Sequence, residues 1–389
     1  MTTFDTAHNR LGTKSIKWNR FKIENALPMW VADTDFKAPA PVLEALSEAM
    51  DHGIFGYSEC DESVNQSVVN WMKNRHDWEI DSSQLIYCNG VVSSISAIIN
   101  ALTEENDAIV IQTPVYPPFS DLVKRNNRKL VDNPLNFANG NYSIDFTGLE
   151  KIFQTESVKM LIFCSPHNPV GRVWSRDELE QLANLCLQYN VIILSDEIHH
   201  DIVFAPHKHT PIASLSKEIE MQTVTCAAPS KTFNLAGLQS SVIIAKNNEI
   251  KNAISEQLLK QGFHGINYLG TVALEAAYTH GAEWLDEQND YFKENIELVR
   301  NYFAENFPEV TWVEPEGTYL IWINVSSLVK NNENVKEALE KEVQLIVEDG
   351  EKYGAPKNEF IRMNIGCPRS YVLEALERIN KFTSSVKTV

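Results

Sequence analysis

No apolar run in this chain approaches the length of a membrane span. The first residues, MTTFDTAHNRLGTKSIKWNR, also lack the apolar stretch of a signal peptide. Basic residues are scarce beside acidic ones, 34 against 52, for a formal net charge of −18. A surface of that sign repels nucleic-acid phosphates and anionic membranes, so neither is an expected partner; solubility is the simpler use of the charge. None of the six cysteines (Cys60, Cys88, Cys164, Cys186, Cys226, Cys367) falls in a CxxC pair, and four lie in or beside apolar runs. They read as reduced, mostly buried thiols of a cytoplasmic enzyme, not as a disulfide frame. Internal repeats, low-complexity tracts and flexible linkers are absent as well.

What is present suits a globular enzyme. The 389 residues, 43% hydrophobic, can bury a large core and favour two or more domains over one. Pro41 to Gly53 reads as a helix, with proline at its start and glycine at its end, and Glu62 to His76 as another. From Gln84 onward, short all-apolar strands alternate with amphipathic helices. The strands are QLIYCN, AIVIQTP, KMLIFCSP, VIILSDEI, the run from Thr223 to Ala228, and SSVIIAK. The helix SRDELEQLANLCLQYN carries Ser175 and Glu178 at capping-box spacing. This alternation predicts an α/β protein with a mostly parallel sheet covered on both faces by helices. After long helices between Asn252 and Asn306, the strands EGTYLIWINV and FIRMNIG, a mostly helical VKEALEKEVQLI and the helix SYVLEALERINKF describe a smaller α/β unit. The N-terminal segment is expected to complete that unit.

Ligands of open parallel sheets bind outside the carboxyl ends of the strands. Four groups fall at such ends. Gly90 opens a helix whose first N–H groups suit a phosphate. Asn168 follows one strand, Asp196 ends the next, and Lys231 follows the strand ending at Ala228. The stretch from Asn168 to Asp196 is a crossover of βαβ length, so the two should lie side by side. Singly, an Asn-Pro is a turn and a strand-end acid is a helix cap. Together the four describe one pocket holding an amine, an acid, an amide and a phosphate cradle.

SPHNPVGR, SDEIHHD, PSKTFNLAG and FIRMNIG resemble the signatures of fold-type I pyridoxal-phosphate enzymes, the aspartate aminotransferase superfamily. LPMWVADTDF, GYSECDES and EGTYLIWINV resemble its MalY/PatB cystathionine β-lyase subgroup, and the resemblance runs from about residue 20 to the C-terminus. It implies a large domain over residues 46–284 and a small one built from 1–45 and 285–389. It also implies pyridoxal 5'-phosphate as cofactor and no metal. Lys231 would form the Schiff base, Asp196 would pair with the pyridinium nitrogen, and Asn168 would donate to the ring hydroxyl oxygen. Tyr116 would stack on the ring; Gly90, Val91, Val92 and Ser230 would hold the phosphate. Arg362 would fork onto the substrate α-carboxylate, with Ala32, Asp33 and Tyr319 also placed at the substrate. Tyr57 would reach the phosphate of a neighbouring subunit, making a homodimer with shared sites. The implied reaction is cleavage of L-cystathionine or related cysteine S-conjugates to a thiol, pyruvate and ammonia; the alternative is an aminotransferase of class I/II. Two positions depart from the aminotransferase pattern: His199 stands where a tyrosine is usual, and Gln239 where an arginine for the phosphate is usual.

A third reading uses the stretch DEIHHDIVFAPHKH, in which Asp196, Glu197, His199, His200, His207 and His209 could build a zinc or iron hydrolase site. The spacing matches no HExxH motif, and His199 and His200 would point opposite ways if the strand continued. That reading also leaves Lys231 and Asn168 without a task.

Overall fold

The apolar strands do assemble into one sheet. The computed structural model describes residues 3–328 and 334–387. Its seven-stranded sheet runs Leu85–Cys88, Ser241–Ile244, Thr223–Ala227, Ile192–Asp196, Val158–Cys164, Ala108–Ile111 and Lys129–Asp132. Neighbours are parallel except where Ser241–Ile244 runs antiparallel to both of its own. Central strands are buried along their length, as expected where helices cover both faces. On one face Ile95, Ile98 and Ile99 of helix Val91–Leu102 pack with Ile109, Ile162 and Val224. On the other, Leu179, Leu182 and Cys186 of helix Arg176–Gln188 pack with Leu161, Phe163 and Ile193. Ser175 and Glu178 close the anticipated capping box at the start of the latter helix.

A second, four-stranded sheet joins Thr311–Val313, Leu320–Asn324, Phe360–Asn364 and Glu348–Asp349. Its core contains Phe4, Leu27, Met29 and Phe36 beside Leu320, Ile361, Met363 and Leu376, so both ends of the chain share one apolar cluster. The stretch VKEALEKEVQLI is mostly helical, as expected: the helix Val335–Val343 stops where Gln344 turns left-handed at φ 52°. Leu345–Ile346 then pairs in parallel with Leu27–Pro28. No helix among the described residues is long and apolar enough to cross a membrane.

Candidate active site

The carboxyl ends of the parallel strands open on a cavity of about 530 Å³ whose walls include Gly90, Tyr116, Asn168, Asp196, Lys231 and Arg362. A larger hollow of about 630 Å³, lined by Val158 and Ile192, lies at the opposite edge, where the same strands begin. Open α/β sheets bind ligands at the first kind of edge, and the six polar groups named for it are all there.

Lys231 lies on a single helical turn, Pro229–Thr232, that follows its strand. Its Nζ donates to the Ala32 carbonyl at 2.7 Å. Burial lowers the amine to about 8 against the opposing pull of Asp33, and Arg362 adds to the lowering. A lysine so placed reaches its neutral, nucleophilic form near physiological pH. Asp196 closes its strand, aligned with Cys164 of the strand beside it. Burial raises its carboxyl to about 7, although it accepts the Ile198 N–H. A carboxylate this dry gains most from a cation placed next to it.

Asn168 and Asp196 converge, as the crossover length requires. Arg362 Nη1 donates to Asn168 Oδ1 at 3.0 Å, which leaves the Asn168 amide N–H groups as donors toward the cavity. Arg362 Nη2 donates to the Trp30 carbonyl at 2.7 Å, and its guanidinium stacks on Tyr353 at 4.9 Å. Its buried Nε has no protein partner, and neither does His199 Nδ1. Burial holds His199 well below the usual imidazole value, with Lys231 and Arg362 adding to the effect, so it faces the cavity neutral. Orphaned buried polar atoms of this kind mark a place for a polar ligand.

Gly90 precedes helix Val91–Leu102 at φ 111°, a conformation in which a side chain would be strained. Its own N–H is taken by Ser241 Oγ at 3.1 Å. The anion donors at this end are therefore the next N–H groups of the helix, those of Val91 and Val92. Val91, Val92, Ser230, Gln239 and Ala32 all line the cavity.

Three expected residues are not at this cavity within the chain. Asp33 turns its carboxylate to half-buried Arg10 at 2.8 Å and buried Lys17 at 3.6 Å, a pair of cations that it shares with Asp35. Tyr319 is wholly buried behind the wall, donating to the Ala32 carbonyl that also receives Lys231. Tyr57 is fully exposed on a separate surface hollow with Phe55 and Tyr268. Trp30, Glu348, Lys352 and Tyr353 also line the cavity; Trp30 falls in the motif LPMWVADTDF without having been singled out, and the other three had no sequence signal. They lie in or beside short strands that become a wall only once the second sheet packs against the first.

The histidine-rich stretch divides at Asp196. The strand ends there and a turn follows, so the alternation assumed for His199 and His200 does not apply. His199 and Asp196 face the cavity, while Glu197, His200 and His209 turn inward and meet His76 and Asp201. Asp201 accepts from Trp71 Nε1 at 3.1 Å, His76 Nε2 at 2.8 Å and Thr232 Oγ1 at 2.7 Å, and pairs with His200 at 3.2 Å. Glu197 pairs with His209 at 2.8 Å and accepts from Ser195 Oγ. Although burial opposes both charges, Asp201 keeps His200 above its ordinary value, and His200 keeps Asp201 well below its own. These five groups form a buried network that reaches the Lys231 turn through Thr232 and lies outside the cavity walls, with His209 Nδ1 left without a hydrogen-bond partner among the described residues.

Comparison with known proteins agrees with this geometry. The cystathionine β-lyase PatB of Bacillus subtilis is 42% identical over 97% of this chain and 98% of that protein. Cystalysin of Treponema denticola, solved with a pyridoxal 5'-phosphate cofactor, superposes with a TM-score of 0.95 at 34% identity, covering 99% of this chain and all of that one. A pyridoxal-phosphate-bound putative aminotransferase of Clostridium difficile superposes equally well, with a TM-score of 0.95 at 42% identity over 98% of this chain and 99% of that one. Residues 31–379 match the family described as aminotransferase class I and II, and the chain belongs to that family.

Proposed function

We propose that this chain is a pyridoxal-phosphate-dependent carbon–sulfur β-lyase, acting on L-cystathionine or related cysteine S-conjugates. The observation that carries the reading is the convergence of Lys231, Asp196, Asn168 and Arg362 on one cavity at the carboxyl ends of the sheet. The orphaned Arg362 Nε and His199 Nδ1 and the helix opening at Val91 fit a ligand with a carboxylate, a ring hydroxyl and a phosphate. Bound there, pyridoxal phosphate supplies an electron sink for the carbanion formed at the substrate Cα.

The residues divide the remaining work. Lys231 would hold the cofactor, and its neutral amine would take the substrate Cα proton. Asp196 would be the counter-charge for the cofactor's ring nitrogen, and Asn168 would donate to its ring hydroxyl oxygen. His199, neutral and buried, takes the place at the ring that a tyrosine holds in aminotransferases. Tyr116 covers one ring face. Val91, Val92, Gly90 and Ser230 surround the phosphate, with Gln239 giving a neutral contact in place of an arginine. Arg362, already fixed by Asn168 and Trp30, offers Nε to the α-carboxylate and so orients the Cα–H bond toward Lys231. The Ala32 carbonyl accepts from the Lys231 amine when that amine is free. The Cβ–S bond then breaks with its electron pair leaving on sulfur, and the released enamine hydrolyses to pyruvate and ammonia.

The alternative, transamination, uses the same residues up to proton abstraction, so the decisive test is the fate of L-cystathionine supplied alone. Pyruvate should accumulate over many turnovers without an added keto acid. Product that stops near one equivalent of enzyme would instead establish an aminotransferase.

The same reading places the enzyme in the cytoplasm, with a large domain over 46–284 and a small one over 1–45 and 285–389. It also makes the active unit a homodimer. Support for the dimer comes from Met50, Ile54, Phe55, Tyr57 and Leu259, large apolar side chains left exposed on one chain. Tyr57, far from its own cavity, would reach the partner's phosphate. Tyr57→Phe should therefore weaken cofactor retention, and mixing it with Lys231→Ala under subunit exchange should restore activity. The mixed dimer carries both lesions at one site and none at the other. Absence of recovery despite proven exchange, with both variants folded, would reject the shared site.

A further inference from the structure

One wall of the cavity carries a charge pair that the reaction above does not use. Glu348 and Lys352 both line the cavity, and Lys352 Nζ lies 2.8 Å from Glu348 Oε2. The two differ in setting: the Lys352 side chain is 53% exposed and that of Glu348 11%. The two oxygens of Glu348 have room for about four hydrogen bonds, and Lys352 supplies one. A pair with one exposed member holds together weakly and re-pairs easily with other charges.

Its position relative to the α-carboxylate site is set by short links. Tyr353, on which the Arg362 guanidinium stacks at 4.9 Å, is the residue after Lys352. Glu348 lies opposite Arg362 across the antiparallel strand pair. The charge pair therefore stands beside Arg362 on the outer side of the pocket. In L-cystathionine the second α-carbon is five bonds from the first, about 6 Å when extended. A substrate anchored at Arg362 would bring its far ammonium and carboxylate to this wall.

We propose that Glu348 and Lys352 form a subsite for the distal end of the substrate: Glu348 takes an ammonium and Lys352 a carboxylate. The ligand zwitterion substitutes each protein charge for its present partner, so no buried charge is left uncompensated. Conjugates of amino-acid-like thiols gain both contacts; conjugates of neutral thiols leave the protein pair intact and gain neither. The subsite rests on the β-lyase reading and names the leaving-group class that reading leaves open.

Four cysteine conjugates separate the contributions: L-cystathionine, S-(3-carboxypropyl)-L-cysteine without the distal ammonium, S-(3-aminopropyl)-L-cysteine without the distal carboxylate, and S-propyl-L-cysteine without either. The readout is the ratio of kcat/KM for each charged conjugate to that for the propyl conjugate. Lys352→Met should lower the ratio for the two carboxylate-bearing substrates by about ten- to a hundredfold, the range for losing one charged hydrogen bond. Glu348→Gln should lower it for the two ammonium-bearing ones, and Lys352→Arg should keep the wild-type ratios. Ratios that stay within about twofold of wild type, or that fall for all three charged substrates alike in either variant, overturn the subsite. Wild-type enzyme that releases no pyruvate from any of the four overturns the β-lyase reading itself.

Discussion

Replacing Lys231 with alanine should cut amino-acid turnover by at least about a thousandfold, since one side chain both anchors the cofactor and moves the Cα proton. The purified variant should also lose the visible absorbance of lysine-bound pyridoxal phosphate and any borohydride-fixed label at this position. A label that persisted would identify another lysine as the anchor. The wild-type amine, brought down to about 8 by burial, gives the pH sign. Cofactor uptake requires the neutral amine, whose fraction grows as pH rises through that value. Uptake by cofactor-free enzyme should therefore increase about tenfold from pH 7 to pH 9 and level off above. An ordinary exposed lysine would still be gaining at pH 10. A stopped-flow series across that range checks the point.

The second large effect is expected at a residue that touches no ligand. Asp201→Ala should destabilise the fold by about 3–5 kcal/mol, because it strips the counter-charge from buried His200 and the acceptor from Trp71, His76 and Thr232. Asp201→Asn keeps the shape and loses the charge, and its deficit should depend on pH. His200 is held above 6.5 in the folded protein. Its protonated pairing contributes fully below 6.5 and is lost as pH rises through the raised value. The gap between wild type and Asp201→Asn should thus be wider at pH 6 than at pH 9, read as urea midpoints. A gap of the same size at both pH values would show that His200 is neutral in the fold. Thr232→Val, which loses one hydrogen bond, should cost about 1 kcal/mol and separate loss of the charge pair from loss of contact with the Lys231 turn.

These two residues also mark what the sequence reveals and what it conceals. Lys231, Asp196 and Asn168 were legible because each follows an apolar strand, and parallel topology brings strand ends together whatever the loops do. The network around Asp201 was not. His76 and Asp201 are 125 residues apart, on a helix and a turn whose meeting depends on packing against Phe233 and Tyr278. A strand continuing past Asp196 would put His199 and His200 on opposite faces. The strand ends at Asp196, and it is the turn after it that separates them, one toward the cavity and one inward. The helix Val335–Val343 ends at the left-handed Gln344, a conformation that no pattern of apolar residues announces. Ala32 was placed at the site by resemblance, and the structure gives it a carbonyl that meets Lys231. Asp33, its neighbour, belongs instead to Arg10 and Lys17.

The pairing of Leu27 with Leu345 and Pro28 with Ile346 bears on how the enzyme is made. Residues 30–33 are held in place by side chains near the other terminus: Arg362 on Trp30, and Asn364 on Val31 and Asp33. Ribosomes deliver a chain from its N-terminus at a few residues per second. Lys231 and Asp196 therefore emerge while the segment carrying Ala32 has Asn234 to meet, through Thr34 and Phe36, but still lacks Arg362 and Asn364. The pocket's wall, made first, is installed last. A nascent chain stalled before residue 345 has its reactive amine but lacks the strand Leu345–Ile346, Arg362 and Asn364 that close the chamber around it.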